Sequence, residues 1–221
     1  MPTSGILFNL YLDELTDVIK QGRTASLKVN GKEIFLIKYA DDICLLDLSP
    51  AGLQISLGRL WKYASEYDLV VNTEKSYCMV FRGKKRPNTK VPMKLGNRDL
   101  VQVSEFKYLG NYFNEELSRN QSSKRILNNA FGAYSQLCQR IANLPNNCPF
   151  RVFETILDNT VIAVGSYGCE VFGPNEDLDA LCIRALRFFF SLARKTPSDG
   201  LWIITGWVPP SIRQLMQQVG F

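Results

Sequence analysis

Two adjacent acids, Asp41 and Asp42, lie in the segment Lys38-Tyr39-Ala40-Asp41-Asp42, between the apolar runs Glu33–Tyr39 and Ile43–Leu48. Both runs are rich in Ile, Leu and Phe and the gap between them is short, which predicts a β-hairpin with the acids at its turn. Neighbouring carboxylates on a tight turn repel each other. A divalent cation removes that repulsion, and Mg2+ is typically held by one or two carboxylates together with substrate phosphates. In phosphoryl transfer, two metals about 3.5–4 Å apart clamp the attacking and leaving oxygens. The plainer reading stands beside this one: Asp favours turns through bonds to its own backbone, and Asp-Asp in a loop is common.

The rest of the composition narrows the chemistry. The chain has no histidine, which excludes His-based triads, H-E-x-x-H zinc sites and Cys/His zinc fingers. Catalysis would have to run on carboxylates, lysines, thiols and metal ions. The six cysteines (Cys44, Cys78, Cys138, Cys148, Cys169, Cys182) form no C-x-x-C pair, and they read as reduced thiols of a nuclear or cytoplasmic protein. No apolar run is long enough to cross a bilayer, and the Met1 segment lacks the pattern of a signal peptide, so neither secretion nor membrane insertion is expected. The net charge of +5 permits a polyanionic partner without demanding one. Seven basic residues and no acid lie between Arg82 and Arg98. A solvated loop is the favoured reading of that run, with phosphate contact as the alternative.

Several elements must position the acids. Leu7, Leu10, Tyr11, Leu15, Val18 and Ile19 predict a helix over Ile6–Ile19, with Lys20 and Gly22 as its stop. Ser49-Pro50 supplies an N-cap and a first-turn proline for a helix to about Tyr67, with Leu53, Leu57, Leu60, Trp61 and Ala64 as its stripe. Strand-like pieces follow at Leu69–Val71, Tyr77–Phe81, Val91–Leu95, Leu100–Val103 and Phe106–Phe113. After Leu117 the pattern turns helical. A stripe from Ile126 to Ile141 stops at Pro145, a second helix opens at Pro149, a third spans about Leu178 to Leu192, and a last one starts near Ser211. The expected class is α+β, with an α+β part over residues 1–115 and an all-helical part over 116–221.

Five stretches, in order, resemble the reverse transcriptases of LINE-type (non-LTR) retrotransposons. Leu7-Phe8-Asn9-Leu10-Tyr11-Leu12-Asp13-Glu14-Leu15 is similar to the helix after the family's S-P-x-L-F-N segment. Tyr39-Ala40-Asp41-Asp42 resembles the Y-A-D-D active-site turn, and Leu69–Ser76 the L-x-x-N-x-x-K-T segment. Phe106-Lys107-Tyr108-Leu109-Gly110 resembles the Y-L-G primer-grip hairpin. Tyr167–Gly173 resembles Y-G-x-E-x-W-G, with Phe172 in place of Trp. Any one of these motifs is weak. Their shared order over nearly the whole chain is specific.

The resemblance implies a partial right-hand palm, an antiparallel sheet with packed helices, followed by a thumb-like helical region. It implies RNA-directed DNA polymerase ancestry, with Asp41 and Asp42 as metal-binding carboxylates for Mg2+ and Mn2+ as a substitute ion. Lys75 would lie near the incoming triphosphate, where a cation can stabilise or protonate the leaving pyrophosphate, or it is a solvated lysine after a turn. Tyr39 would sit beneath the primer end. Tyr108, Leu109 and Gly110 would shape the turn that holds the primer, although Gly110 also has a plain use as hinge of a hairpin. Lys124 and Arg125 are weaker candidates for duplex contact. The implied partners are an RNA template, a DNA primer and deoxynucleoside triphosphates. A further family aspartate, on a strand upstream, and the fingers fall outside the match, which begins at Pro2-Thr3-Ser4-Gly5 with Gly5 replacing the usual Pro. A truncated portion, inactive alone, is therefore expected, and a non-catalytic nucleic-acid-binding remnant or a relic without function are the alternatives.

Overall fold

The computed structural model describes residues 8, 10–21, 27–82, 90–141 and 148–220. The start of the first predicted helix, Gly22, Lys84, Lys85 and Arg86 of the basic run, and Pro145 lie outside the described residues. The chain forms two compact units, residues 1–104 and 105–221. The hairpin expected at the end of the first part thus belongs to the second unit, and the boundary lies ahead of residue 115. The content is mixed helix and small sheets, as the α+β expectation had it.

In the first unit, the predicted first helix is interrupted. Helical residues Leu10 and Tyr11 run into a turn at Leu12–Glu14, and α1 (Leu15–Lys20) follows. Tertiary bonds hold this tight path, because side chains take over carbonyls along it. Tyr63 Oη donates to Tyr11 O at 3.0 Å, Lys38 Nζ to Leu12 O at 2.9 Å, and Arg59 Nη1 to Ile19 O at 3.1 Å. A first hairpin, β1 (Leu27–Val29) and β2 (Lys32–Ile34), turns at Asn30-Gly31 with φ of 52° and 77°. Asn-Gly is the residue pair such two-residue turns favour. The predicted run Glu33–Tyr39 is therefore divided, with buried Phe35 separating β2 from β3 (Leu36–Tyr39).

The second hairpin pairs β3 with β4 (Asp42–Leu45), Leu36 facing Leu45 and Tyr39 facing Asp42. Helix α2 (Pro50–Glu66) begins as the sequence predicts: Ser49 Oγ accepts from Gly52 N at 3.1 Å, with proline in the first turn. It is the spine of the unit. Leu60 and Tyr63 join Leu12, Leu15, Ile19 and Phe35 in one core, onto which Ile43 and Leu45 pack. Leu57 joins Cys78, Met93 and Leu95 in another.

The strand expected at Leu69–Val71 does not form. Asp68 takes φ 53° and Leu69 N donates back to Ala64 O at 2.8 Å, so that amide caps the helix instead of entering a ladder. The piece expected over Tyr77–Phe81 reduces to β5 (Tyr77–Cys78). It pairs parallel to β7 (Arg98–Gln102), which pairs antiparallel to β6 (Met93–Leu95). The sheets are thus separate and small, and one pairing is parallel, where a single antiparallel sheet was expected.

The second unit opens on the hairpin β8 (Glu105–Tyr108) and β9 (Asn111–Asn114), followed by α3 (Arg119–Ile141). A long helical stretch from Phe150 to Gly165 contains a π segment at Asp158–Ile162. After it come α6 (Cys169–Phe172), α7 (Glu176–Phe189), α8 (Ser198–Thr205) and α9 (Pro210–Val219), where α4 is Phe150–Leu157 and α5 is Ala163–Gly165. Ala130, Tyr134 and Leu137 of the predicted stripe meet Phe153, Leu157, Leu178 and Leu186 in the core. Helix α8 was not foreseen, because Ile203 and Ile204 are exposed and blur its periodicity.

One bond in the first unit is directly testable. Tyr67 Oη donates to Glu14 Oε2, and that bond pushes the phenol from its ordinary value near 10 up to about 12. The raised value means that the protonated phenol favours the folded state. This contribution is complete below pH 10 and is lost as pH rises toward 12. Glu14→Gln is expected to return one tyrosine of the ultraviolet titration toward 10 while leaving neutral-pH folding intact.

Candidate active site

The tip of the β3–β4 hairpin is a two-residue loop, because Tyr39 and Asp42 are the last cross-strand pair and only Ala40 and Asp41 lie between them. Ala40 takes φ 49°. Left-handed backbone costs an L-residue with a Cβ about 1–2 kcal/mol, and such strain persists only where the surroundings impose it. The four ladder pairs impose it here. Residues 36, 38, 43 and 45 face inward, where Leu36, Ile43 and Leu45 pack on the core and Lys38 reaches the Leu12 carbonyl. The alternate residues face outward, so Tyr39, 62% exposed, and Asp42 share the outer face at the tip. Asp41 is also exposed. The hairpin therefore holds one carboxylate at a strand end and the other in the loop beside it, both in solvent, with the nearest lysine in sequence turned inward onto a backbone carbonyl.

These residues fit a hard cation of one kind. Mg2+ accepts a site of one or two carboxylates completed by water and phosphate oxygens, whereas Zn2+ and Ca2+ need fuller protein shells. Among the described residues no group of three His, Cys, Asp or Glu side chains could hold a metal ion. Two carboxylates alone leave most positions around such an ion to be filled by other oxygens. Burial pushes the Cys44, Cys78 and Cys182 thiols up, Cys182 to about 12, which works against a reactive thiolate at those positions.

Lys75 is exposed on the loop after α2. That loop is organised by a residue not singled out from sequence: Asn72 Oδ1 accepts from both Glu74 N and Lys75 N at 3.1 Å, and Ser76 Oγ donates to Asn72 O at 2.8 Å. The asparagine of the L-x-x-N-x-x-K segment thus fixes the turn from which Lys75 projects. Its signal was in the sequence as an Asx-turn residue three positions before the lysine.

The remaining candidates lie in the second unit. Tyr108 and Asn111 are the last pair of β8–β9, and Leu109-Gly110 form its two-residue turn with φ of 46° and 83°. Arg125 is already engaged: its guanidinium lies 4.3 Å over the Tyr112 ring and 2.5 Å from Glu105 Oε1. It ties α3 to one face of the hairpin, a structural use that competes with phosphate contact. Lys124 beside it is exposed. Lys107, cross-strand partner of Tyr112 with its ammonium 5.6 Å over that ring, was missed as a cation on the same face.

Ala40→Gly tests the strain at the tip. At an unstrained strand-end position such a change costs about 0.5–1 kcal/mol. Here urea unfolding is expected to show no loss, or a gain of up to about 1 kcal/mol, because glycine removes the left-handed penalty. A loss above 1 kcal/mol would mean that the turn is unstrained.

Known proteins match the segments that carry these residues. The family model described as Reverse transcriptase (RNA-dependent DNA polymerase) matches residues 1–113, which take in the Asp41-Asp42 turn, the Asn72–Lys75 loop and the Leu109-Gly110 turn. A curated relative, the Retrovirus-related Pol polyprotein from type-1 retrotransposable element R2 of Nasonia vitripennis, is 28% identical over 121 residues, 51% of this chain. The aligned part is 12% of the length of that polyprotein. No helix among the described residues is long and apolar enough to cross a membrane. The chain belongs to the reverse transcriptase (RNA-dependent DNA polymerase) family.

Proposed function

We propose that this chain carries part of the catalytic palm of a retrotransposon reverse transcriptase, with Asp41 and Asp42 as ligands of a divalent cation, Mg2+ or Mn2+ in its place. The observation that carries this reading is the exposed carboxylate pair on a strained two-residue hairpin tip. The bound cation would neutralise charge that develops on the transferring phosphate. The residues of the chain do the rest. Asp41 and Asp42 fix where oxygens can gather, and the ladder keeps them from collapsing onto the surface. Tyr39, on the face of Asp42, offers an aromatic and hydroxyl surface for the primer end. Lys75, presented by the Asn72 turn, offers an ammonium to the leaving pyrophosphate. Leu109-Gly110, on the Tyr108 hairpin, supports the primer backbone in the thumb-proximal part of the chain, and exposed Lys124 of α3 offers a cation to the duplex. RNA template, DNA primer and deoxynucleoside triphosphates are the proposed ligands.

Two carboxylates make half a two-metal site, and catalysis of this class needs ligands converging from separate strands. The chain is therefore proposed to act with an upstream segment that supplies the third carboxylate and the fingers. Joining it to such a segment from an active relative and assaying primer extension on an RNA template tests this. Extension is expected to require Mg2+ and to fall by at least about a hundredfold with Asp41→Asn, the scale of losing one group that stabilises transition-state charge. Activity that ignores the substitution would refute the metal-site assignment.

A second reading, nucleic-acid binding without catalysis, is favoured by the same incompleteness of the acid pair. It predicts binding that weakens steeply with salt and is indifferent to Asp41→Asn and to Mg2+.

A further inference from the structure

Two motifs of the second unit, far apart in sequence, meet at the Leu109-Gly110 turn. Tyr167 Oη donates to Leu109 O at 2.5 Å. The Tyr167 ring covers Gly110 so closely that a Cβ there would come within 2.9 Å of Cε1. The next residue, Gly168 at φ 75°, presses its backbone against Asn111, where a Cβ would lie 2.5 Å from Oδ1. Phe172 continues the seat, its ring 5.8 Å from that of Phe113. One short segment therefore touches the turn carbonyl, the turn glycine and two residues of β9.

This contact is not explained by core filling. Tyr167 is 52% exposed and is not among the residues of the helical core. Its hydroxyl instead fixes a carbonyl that the hairpin ladder leaves outside, on Leu109, a residue held at φ 46° against its own preference. Gly110 is needed twice over, for its positive φ and for the room beneath the phenol ring.

We propose that Tyr167 is a positioning residue for the Leu109-Gly110 turn, with Gly168 and Phe172 completing its seat. It holds the turn in the single form that meets the primer backbone. The primer contact itself rests on the function proposed above; the latch does not.

The test uses the 221-residue chain, with Tyr167→Phe as the variant that keeps the ring and removes one hydroxyl, and Gly110→Ala as the variant that disturbs the turn directly. Hydrogen exchange reads the latch. An RNA–DNA template–primer with 2-aminopurine at the primer 3′ end reads contact with the primer. Tyr167→Phe is expected to speed exchange at the amides of Leu109–Asn111 roughly two- to tenfold, the effect of one net hydrogen bond, with exchange in the α3 and α7 core unchanged. It is also expected to shift the primer-end fluorescence toward that of free duplex and to weaken binding about two- to tenfold.

If exchange at the turn does not move, the latch is refuted whatever the nucleic acid does. If exchange rises and Gly110→Ala alters the primer signal while Tyr167→Phe does not, the positioning role is refuted and a purely structural bond remains. If neither variant alters the primer signal but exchange still rises, the primer-contact reading fails, and the positioning role for the primer fails with it.

Discussion

A two-residue connection joins antiparallel strands only if the chain enters the left-handed region, where a Cβ crowds the following carbonyl. Both turns that matter here meet that demand without glycine in first place, Ala40 at φ 49° and Leu109 at φ 46°. Each persists because something behind it is already committed. Behind Ala40 stand four ladder pairs whose inner face packs with Leu12, Leu15 and Ile19. Behind Leu109 stand Gly110 and the phenol of Tyr167, fifty-eight residues further along the chain. One turn is imposed by its strands and offers acids to water. The other has its own four ladder pairs and, in addition, a remote hydroxyl on its carbonyl.

The first unit shows how much machinery a hairpin tip needs. α1, the hairpin and α2 share one core, yet their relative placement is refined by polar bonds: Lys38, Arg59 and Tyr63 each reach a main-chain carbonyl of the segment between Tyr11 and Ile19. Tyr63 and Lys38 satisfy acceptors at the break, and Arg59 one at the end of α1. The break at Leu12–Glu14 and the inward turn of Lys38 are two sides of one arrangement, since a straight helix would have used the Leu12 carbonyl itself. The lysine nearest the acids in sequence is thereby spent on architecture.

The hairpin, its capped helix α2 and the helical stripe around Ala130 were legible in the sequence because each carries a local signal that tertiary packing reinforces: alternation, Ser49-Pro50, and apolar residues at helical spacing. What escaped was less local. Leu69–Val71 looks like a strand by composition, but the capping of α2 claims its first amide and leaves Val70 in solvent. Asn30-Gly31 was a plain turn signal that lay between runs too polar to read as strands. The turn position of Asp41 and Asp42 was legible in the apolar runs that flank them. The support of Leu109 by Tyr167 was not, since nothing about a tyrosine before a glycine says which distant carbonyl it will meet.

On the proposed reading, the acid pair also sets how the chain would meet a cation before any substrate arrives. Asp42 is fixed on the face of Tyr39 by the ladder, whereas Asp41 sits in the loop and is constrained by Ala40 alone. An octahedral Mg2+ held by two such carboxylates keeps most of its positions for water, so on the proposed reading resting affinity is low and phosphate oxygens complete the site. Occupancy then follows substrate binding instead of preceding it. Two exposed acids without a bound ion also cost little in stability, because water screens their repulsion at the tip of a hairpin far better than it would in a core. That exposure lets the fold carry two adjacent acids at the hairpin tip without a large stability penalty.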